Sequence, residues 1–91
     1  MYRIERTPEY DLELQQIEAG AGVLDQKLQS GAHFVLARTP ETGWSIHGTD
    51  LWLRSQVILP GLLMVRLYYR IDEIQRTVTL VSMRAVNMTV L

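Results

Sequence analysis

The chain has 91 residues, 47% of them hydrophobic and 21% charged, with a formal net charge of −1 and a pI near 6.1. This length holds one domain, 1–91, and the composition excludes a disordered or fibrous chain. The absence of cysteine excludes disulfides, thiolate metal sites and a cysteine nucleophile, and slight acidity argues against a strong non-specific grip on nucleic acid.

Tyr2 to Thr7 alternates apolar and charged residues, as a half-buried strand does. Thr7-Pro8-Glu9 then predicts a helix start: the Thr7 hydroxyl caps free N–H groups, Pro8 suits the first helical position, and Glu9 and Asp11 meet the positive end of the dipole. Tyr10, Leu14 and Ile17 give this helix its apolar stripe, broadened by Leu12. Gly20-Ala21-Gly22 breaks the pattern, which resumes with Leu24, Leu28, Ala32, Val35 and Leu36, so a helical hairpin is expected, with a bend or end near Ser30-Gly31. Arg38 stands near the negative end of the last helical piece, before the turn formers Thr39 to Gly43.

From Trp44 onward β character dominates. Trp44 to His47 reads as a short strand, and Leu51 to Ile58 as a longer one. In the longer strand Leu53, Ser55 and Val57 share one face, and Trp52, Arg54, Gln56 and Ile58 the other. After the Pro60-Gly61 turn, Leu62 to Ile71 has the cleanest alternation in the chain. Leu63, Val65, Leu67, Tyr69 and Ile71 face one way; Met64, Arg66, Tyr68 and Arg70 face the other. Arg76 to Val86 forms the last strand, with Val78 and Leu80 as its apolar set.

A strand, a helical hairpin and an antiparallel meander predict an α+β domain, with the helices on one face of a four-stranded sheet. Charged side chains resist burial, so the helix-free face is expected to carry Arg54, Arg66, Tyr68 and Arg70. Arg84 shares the phase of Val78 and Leu80, and reaches that open face only if a bulge intervenes. Eight arginines against the single Lys27 suit bidentate recognition of carboxylate or phosphate, with ordinary surface ion pairs to the ten acidic residues as the alternative.

In order and spacing these pieces resemble the RelE/ParE superfamily of bacterial type II toxins over essentially the whole chain. The matching residues are Tyr2-Arg3-Ile4, Thr7-Pro8-Glu9, Thr39 to Gly43, Arg54, Gly61, Val65 to Asp72, Val78 to Val81, and Arg84. The resemblance implies the toxin component of a toxin–antitoxin pair, acting by ribosome-dependent cleavage of messenger RNA or by inhibiting DNA gyrase. A degenerate member that only binds a partner protein is the alternative. For the RNA-cleaving branch it implies that Arg66 and Arg84, with Arg54 in a further basic position, stabilise phosphorane-like charge. Tyr68, read on its own, is a candidate acid or stacking platform for a base, with an ordinary exposed strand tyrosine as the alternative. That branch is usually lysine-rich and carries an aromatic or histidine proton donor after its final arginine. Here the residues are Ala85, Val86, Asn87 and Met88.

Arg70 is expected to pair locally with the Asp72-Glu73 turn, and Arg66 has the same acids or a helix carboxylate as alternatives to a functional role. His33 reads as structural and His47 as a loop residue, and their spacing provides no metal site. No phosphate-loop or dinucleotide fingerprint occurs, so no cofactor is expected. Trp44 and Trp52 are large aromatics of the kind enriched at interfaces, one at least expected in the core. Apolar surface left over in so small a domain would be covered by a cognate antitoxin, with self-association as a homodimer the competing explanation. No apolar run approaches the roughly 18–20 residues of a membrane span, and Met1 to Arg6 lacks a secretory apolar region. A soluble, cytoplasmic protein is expected.

Overall fold

The computed structural model describes residues 1–18 and 22–87. The expected break at Gly20-Ala21, and Met88, lie outside the described residues. Strand β1 (Arg3–Arg6) leads into helix α1 (Pro8–Ile17). Helices α2 (Val23–Ser30) and α3 (Ala32–Arg38) follow, parted at Gly31 where the sequence predicts an interruption. A 3-10 turn (Pro40–Thr42) then delivers the chain to β2 (Trp44–Ser45), β3 (Trp52–Leu59), β4 (Leu63–Asp72) and β5 (Thr77–Asn87).

The α1 start is built as the sequence dictates. Thr7 is the N-cap, its Oγ1 accepts the Tyr10 N–H at 3.1 Å, and Pro8 opens the helix.

The sheet has the order β1-β5-β4-β3-β2. It is five-stranded rather than four-stranded, because the two residues of β2 pair with Leu53 and Trp52 and add an outer strand. The β2 to β5 part is antiparallel, while β1 lies parallel to β5, which makes the whole sheet mixed. Tyr10, Leu14, Leu24, Leu28 and Leu36 from the helices meet Val65, Leu67, Tyr69, Val78, Leu80 and Met83 from the sheet in one core. The alternation of β4 puts Val65, Leu67 and Tyr69 under the helices and leaves Arg66 and Arg70 exposed.

Two buried polar contacts tie this core together. The Tyr69 hydroxyl donates to the Pro40 carbonyl at 2.6 Å, and burial raises its pKa to about 12, so it remains a donor. Gly43 lies so close to this hydroxyl and to the Leu53 carbonyl that a Cβ there would fall 2.6 Å from the Leu53 oxygen. Only glycine lets the backbone pass between β3 and the 3-10 turn at this point. On the other side of the core, His33 Nε2 and the Tyr10 hydroxyl are 2.8 Å apart.

β1 covers β5 only as far as Leu80, so beyond it the outer edge of β5 needs other partners. Helix α1 supplies them. The Thr7 N–H donates to the Leu80 carbonyl at 3.1 Å, and the Thr7 hydroxyl donates to the Val81 carbonyl at 2.8 Å. One helical stretch later, Glu13 Oε1 accepts the Met83 N–H at 3.0 Å. The same segment holds the bulge: Tyr69 pairs with Leu80 but Tyr68 pairs with Ser82, leaving Val81 as the extra residue.

Candidate functional site

The bulge decides what the open face carries. Without the extra residue Arg84 would keep the inward phase of Val78 and Leu80; with it, Met83 turns into the core and Arg84 pairs directly with Arg66. Two guanidinium-bearing residues therefore lie opposite each other on adjacent strands. Like charges so placed destabilise a sheet, and here the Glu13 carboxylate offsets one of them by pairing with Arg84.

Rows across the sheet follow from the register. One runs Trp44, Leu53, Tyr68, Ser82 across β2 to β5; the next runs Ser55, Arg66, Arg84; a third runs Val57, Met64, Val86. None of these positions is acidic, in a chain whose net charge is −1. Tyr68 is half-buried, two residues from Arg66 on the same face, or about 7 Å along the strand. Among the described residues the side chains of Arg66 and Tyr68 have no hydrogen bond or ion pair, so the alternative of a salt bridge from Arg66 to Asp72, Glu73 or a helix carboxylate is not realised.

Arg84 is differently placed. Its Nη1 donates to Glu13 Oε2 while the other oxygen of that carboxylate holds the Met83 amide. The Arg84 side chain is 62% exposed and that of Glu13 only 12%, so the acid is anchored and the arginine is the movable partner. The guanidinium thus keeps most of its surface in water while one of its N–H groups is held by a largely buried acid. Sequence reasoning missed Glu13 because its helical position is unremarkable until α1 is laid beside the edge of β5.

Two placements correct the expectation. Arg54 does not share the open face: β3 pairs it with Leu67, whose side chain lies under the helices, and it follows the phase of Trp52, which stacks on buried Tyr69 with ring centroids 6.4 Å apart. The sorting of β3 into two sets is as expected; the set containing Arg54 is the inner one. Arg54 lies beside Ala32 and Val35 of α3, near the margin of the sheet, and its Nη1 donates to Thr42 Oγ1 at 3.0 Å. Arg70 is on the open face, yet its partner is Asp50, at 2.9 Å, rather than the Asp72-Glu73 turn. Asp72 instead accepts the Gln75 N–H within the turn, and Glu73 accepts the Tyr2 hydroxyl.

Of the four residues read as site candidates, the fold brings Arg66, Tyr68 and Arg84 together and leaves Arg54 at the margin. His33 is structural, as expected, and His47 lies in an exposed turn. Among the described residues no group of acidic, histidine or cysteine side chains is arranged to hold a metal, and no helix is long and apolar enough to cross a membrane.

On the helix side of the sheet, an apolar groove of about 300 Å³ runs between Ile17, Val23 and Leu24 on one wall and Ile58, Leu59 and Leu63 on the other. Val23, Leu59 and the neighbouring Leu62 are exposed large hydrophobic residues. This is the uncovered apolar surface that the composition predicts.

No protein-family model matches the sequence, and no curated protein matches it significantly. Solved structures do match. The toxin–antitoxin complex RelBE2 from Mycobacterium tuberculosis superposes with a TM-score of 0.68 at 19% identity, covering 93% of this chain and 91% of that one. The intact RelBE toxin–antitoxin complex of Escherichia coli gives 0.62 at 16% identity, covering 91% and 94%. A metal-bound toxin from Helicobacter pylori gives 0.52 at 22% identity, covering 91% and 92%. With the strand order, the packed helices and the open sheet face already described, these superpositions establish that the chain has the RelE-like α+β fold.

Proposed function

We propose that this protein is the toxin component of a bacterial type II toxin–antitoxin pair, and that its open face engages messenger RNA at the ribosome. The observation that carries this reading is the direct pairing of Arg66 with Arg84 on a face whose central rows hold no acidic residue. Guanidinium groups so disposed suit a phosphate whose negative charge grows as the bond breaks. Tyr68, next to Arg66 on the same face, is the phenol available for proton transfer or stacking. The apolar groove beside Val23 and Leu59 is where a cognate antitoxin segment is expected to dock.

A second reading, inhibition by binding alone with DNA gyrase or another protein as target, is favoured by one observation. The residues that follow Arg84, namely Ala85, Val86 and Asn87, contain no acid or base. The two readings separate in one experiment. The gene is induced in growing bacteria and RNA ends are mapped, for the wild type and for Arg66→Ala and Arg84→Ala. Growth arrest with new RNA ends in translated messages, lost in both variants, is the result expected. Arrest that persists in both variants without new ends would replace cleavage by the binding reading, and no arrest at all would remove the toxin.

A further inference from the structure

The two tryptophans of this chain have opposite fates. Trp52 is turned inward onto Tyr69, whereas Trp44 is 75% exposed at the outer strand. An indole left in water at a sheet margin forgoes a large burial gain, and nothing in the core requires it there.

Its mounting is rigid. Gly43, which precedes it, is wedged against the Leu53 carbonyl and the Tyr69 hydroxyl, and that hydroxyl is itself bonded to the Pro40 carbonyl. The register sets Trp44 at the end of the row that continues through Leu53 to Tyr68. With strands about 4.8 Å apart, Trp44 and Tyr68 are separated by about 10 Å across the face, and the Arg66–Arg84 row lies about 7 Å further along.

Beside Trp44 is a cleft of about 200 Å³ lined by Thr42, Gly43, Trp44, Leu53, Arg54 and Ser55. Since β2 begins at Trp44, which pairs with Leu53, the outer edge of β3 from Arg54 onward has no strand beside it, and the cleft opens there. Its volume is below the roughly 300–1,000 Å³ of sites for drug-sized ligands, and suits a single flat ring. Arg54, the cation displaced from the open face, forms part of its wall; the guanidinium donates to the Thr42 hydroxyl and has no ion pair among the described residues.

We propose that the Trp44–Arg54 cleft, at the outer edge of β3, is a stacking subsite for one base of a single-stranded RNA, with one flanking phosphate meeting Arg54 at that edge and the strand continuing across the open face towards Arg66 and Arg84. Aromatic faces alternating with cations along a groove are how proteins hold single strands, since every base presents a π-face and every linkage a charge. The lack of acidic residues in the adjoining rows favours a polyanion over a protein surface of mixed charge. The inference rests on the RNA reading above and adds to it the contact that orients the strand.

The test is titration of the purified protein with a short single-stranded RNA oligonucleotide, followed by tryptophan fluorescence and by anisotropy of labelled RNA. Quenching is expected in the wild type and in Trp52→Phe. Trp44→Leu weakens binding by about 5- to 150-fold, the range for losing one stacked base, while Trp44→Phe restores most of it. Arg54→Ala flattens the dependence of log K on log salt by about 0.7, the step for one phosphate contact to a single strand. Unchanged melting temperatures assign these losses to contact rather than to folding. Full affinity in Trp44→Leu, or no RNA binding by the wild type, overturns the subsite, as does blocking of Trp44 by a protein partner alone. Growth arrest without RNA binding would sink the subsite and leave the toxin reading standing; RNA binding through Trp44 without growth arrest would do the reverse.

Discussion

Protonation of His33 is the most direct way to interrogate the packing of α3 on α1. The ring is buried, with Nε2 2.8 Å from the Tyr10 hydroxyl. Burial, assisted by the nearby Arg6 guanidinium and opposed by Asp25, lowers its pKa from 6.5 to about 4. In the unfolded chain the ring takes up a proton near pH 6.5, whereas in the folded chain it stays neutral down to about pH 4. Between those values the unfolded state binds more protons, so stability is complete above the upper value and declines as the pH falls to the lower one. At about 1.4 kcal/mol for each pH unit, the loss from this residue is about 3 kcal/mol, a large part of the stability of so small a domain. The assay is urea denaturation at about pH 7.5 and about pH 4 for the wild type and His33→Gln, whose neutral amide can still bond the Tyr10 hydroxyl. Arg6, Arg38, Asp11 and Asp25 surround the site in both proteins and cancel in the comparison. The stability difference between the two should shift by about 3 kcal/mol in favour of the variant on acidification. Parallel pH profiles would refute the reasoning.

Other perturbations read the site and its mounting. Glu13→Ala strips the Met83 amide of its acceptor and Arg84 of its partner, and should cost about 1–3 kcal/mol in a denaturation midpoint. Gly43→Ala forces a methyl against the Leu53 carbonyl, with an expected loss of about 1–3 kcal/mol by thermal unfolding. Thr7→Ala removes both the α1 cap and the bond to the Val81 carbonyl, lowering stability by roughly 1–2 kcal/mol. Arg66→Ala is expected to leave stability within about 0.5 kcal/mol, since the guanidinium has no partner among the described residues, while abolishing whatever the open face does. A stability loss above 2 kcal/mol in that variant would show that Arg66 is structural.

Local chemistry was enough to write down most of the fold. Thr7-Pro8 caps α1, Gly31 parts α2 from α3, Pro60-Gly61 turns β3 into β4, and the alternation of β4 sorts Arg66 and Tyr68 from Val65, Leu67 and Tyr69 without reference to anything distant. Period two, however, divides a strand into two sets without saying which set meets the helices. That choice belongs to packing, and it turned Arg54 inward with Trp52 while leaving Trp44 in water. A bulge is a one-residue event with no composition of its own. The one at Val81 is held by Thr7 and Glu13 from a helix some seventy residues earlier in the chain, and it alone brings Arg84 to face Arg66. Arg70 likewise took Asp50 rather than its sequence neighbours, because Asp72 is engaged by the Gln75 N–H of its own turn and Glu73 by the hydroxyl of Tyr2, just before β1. Residue types and their period are set by the chain locally; which residues share a surface is set by contacts between segments far apart in sequence, and only the assembled tertiary structure supplies those.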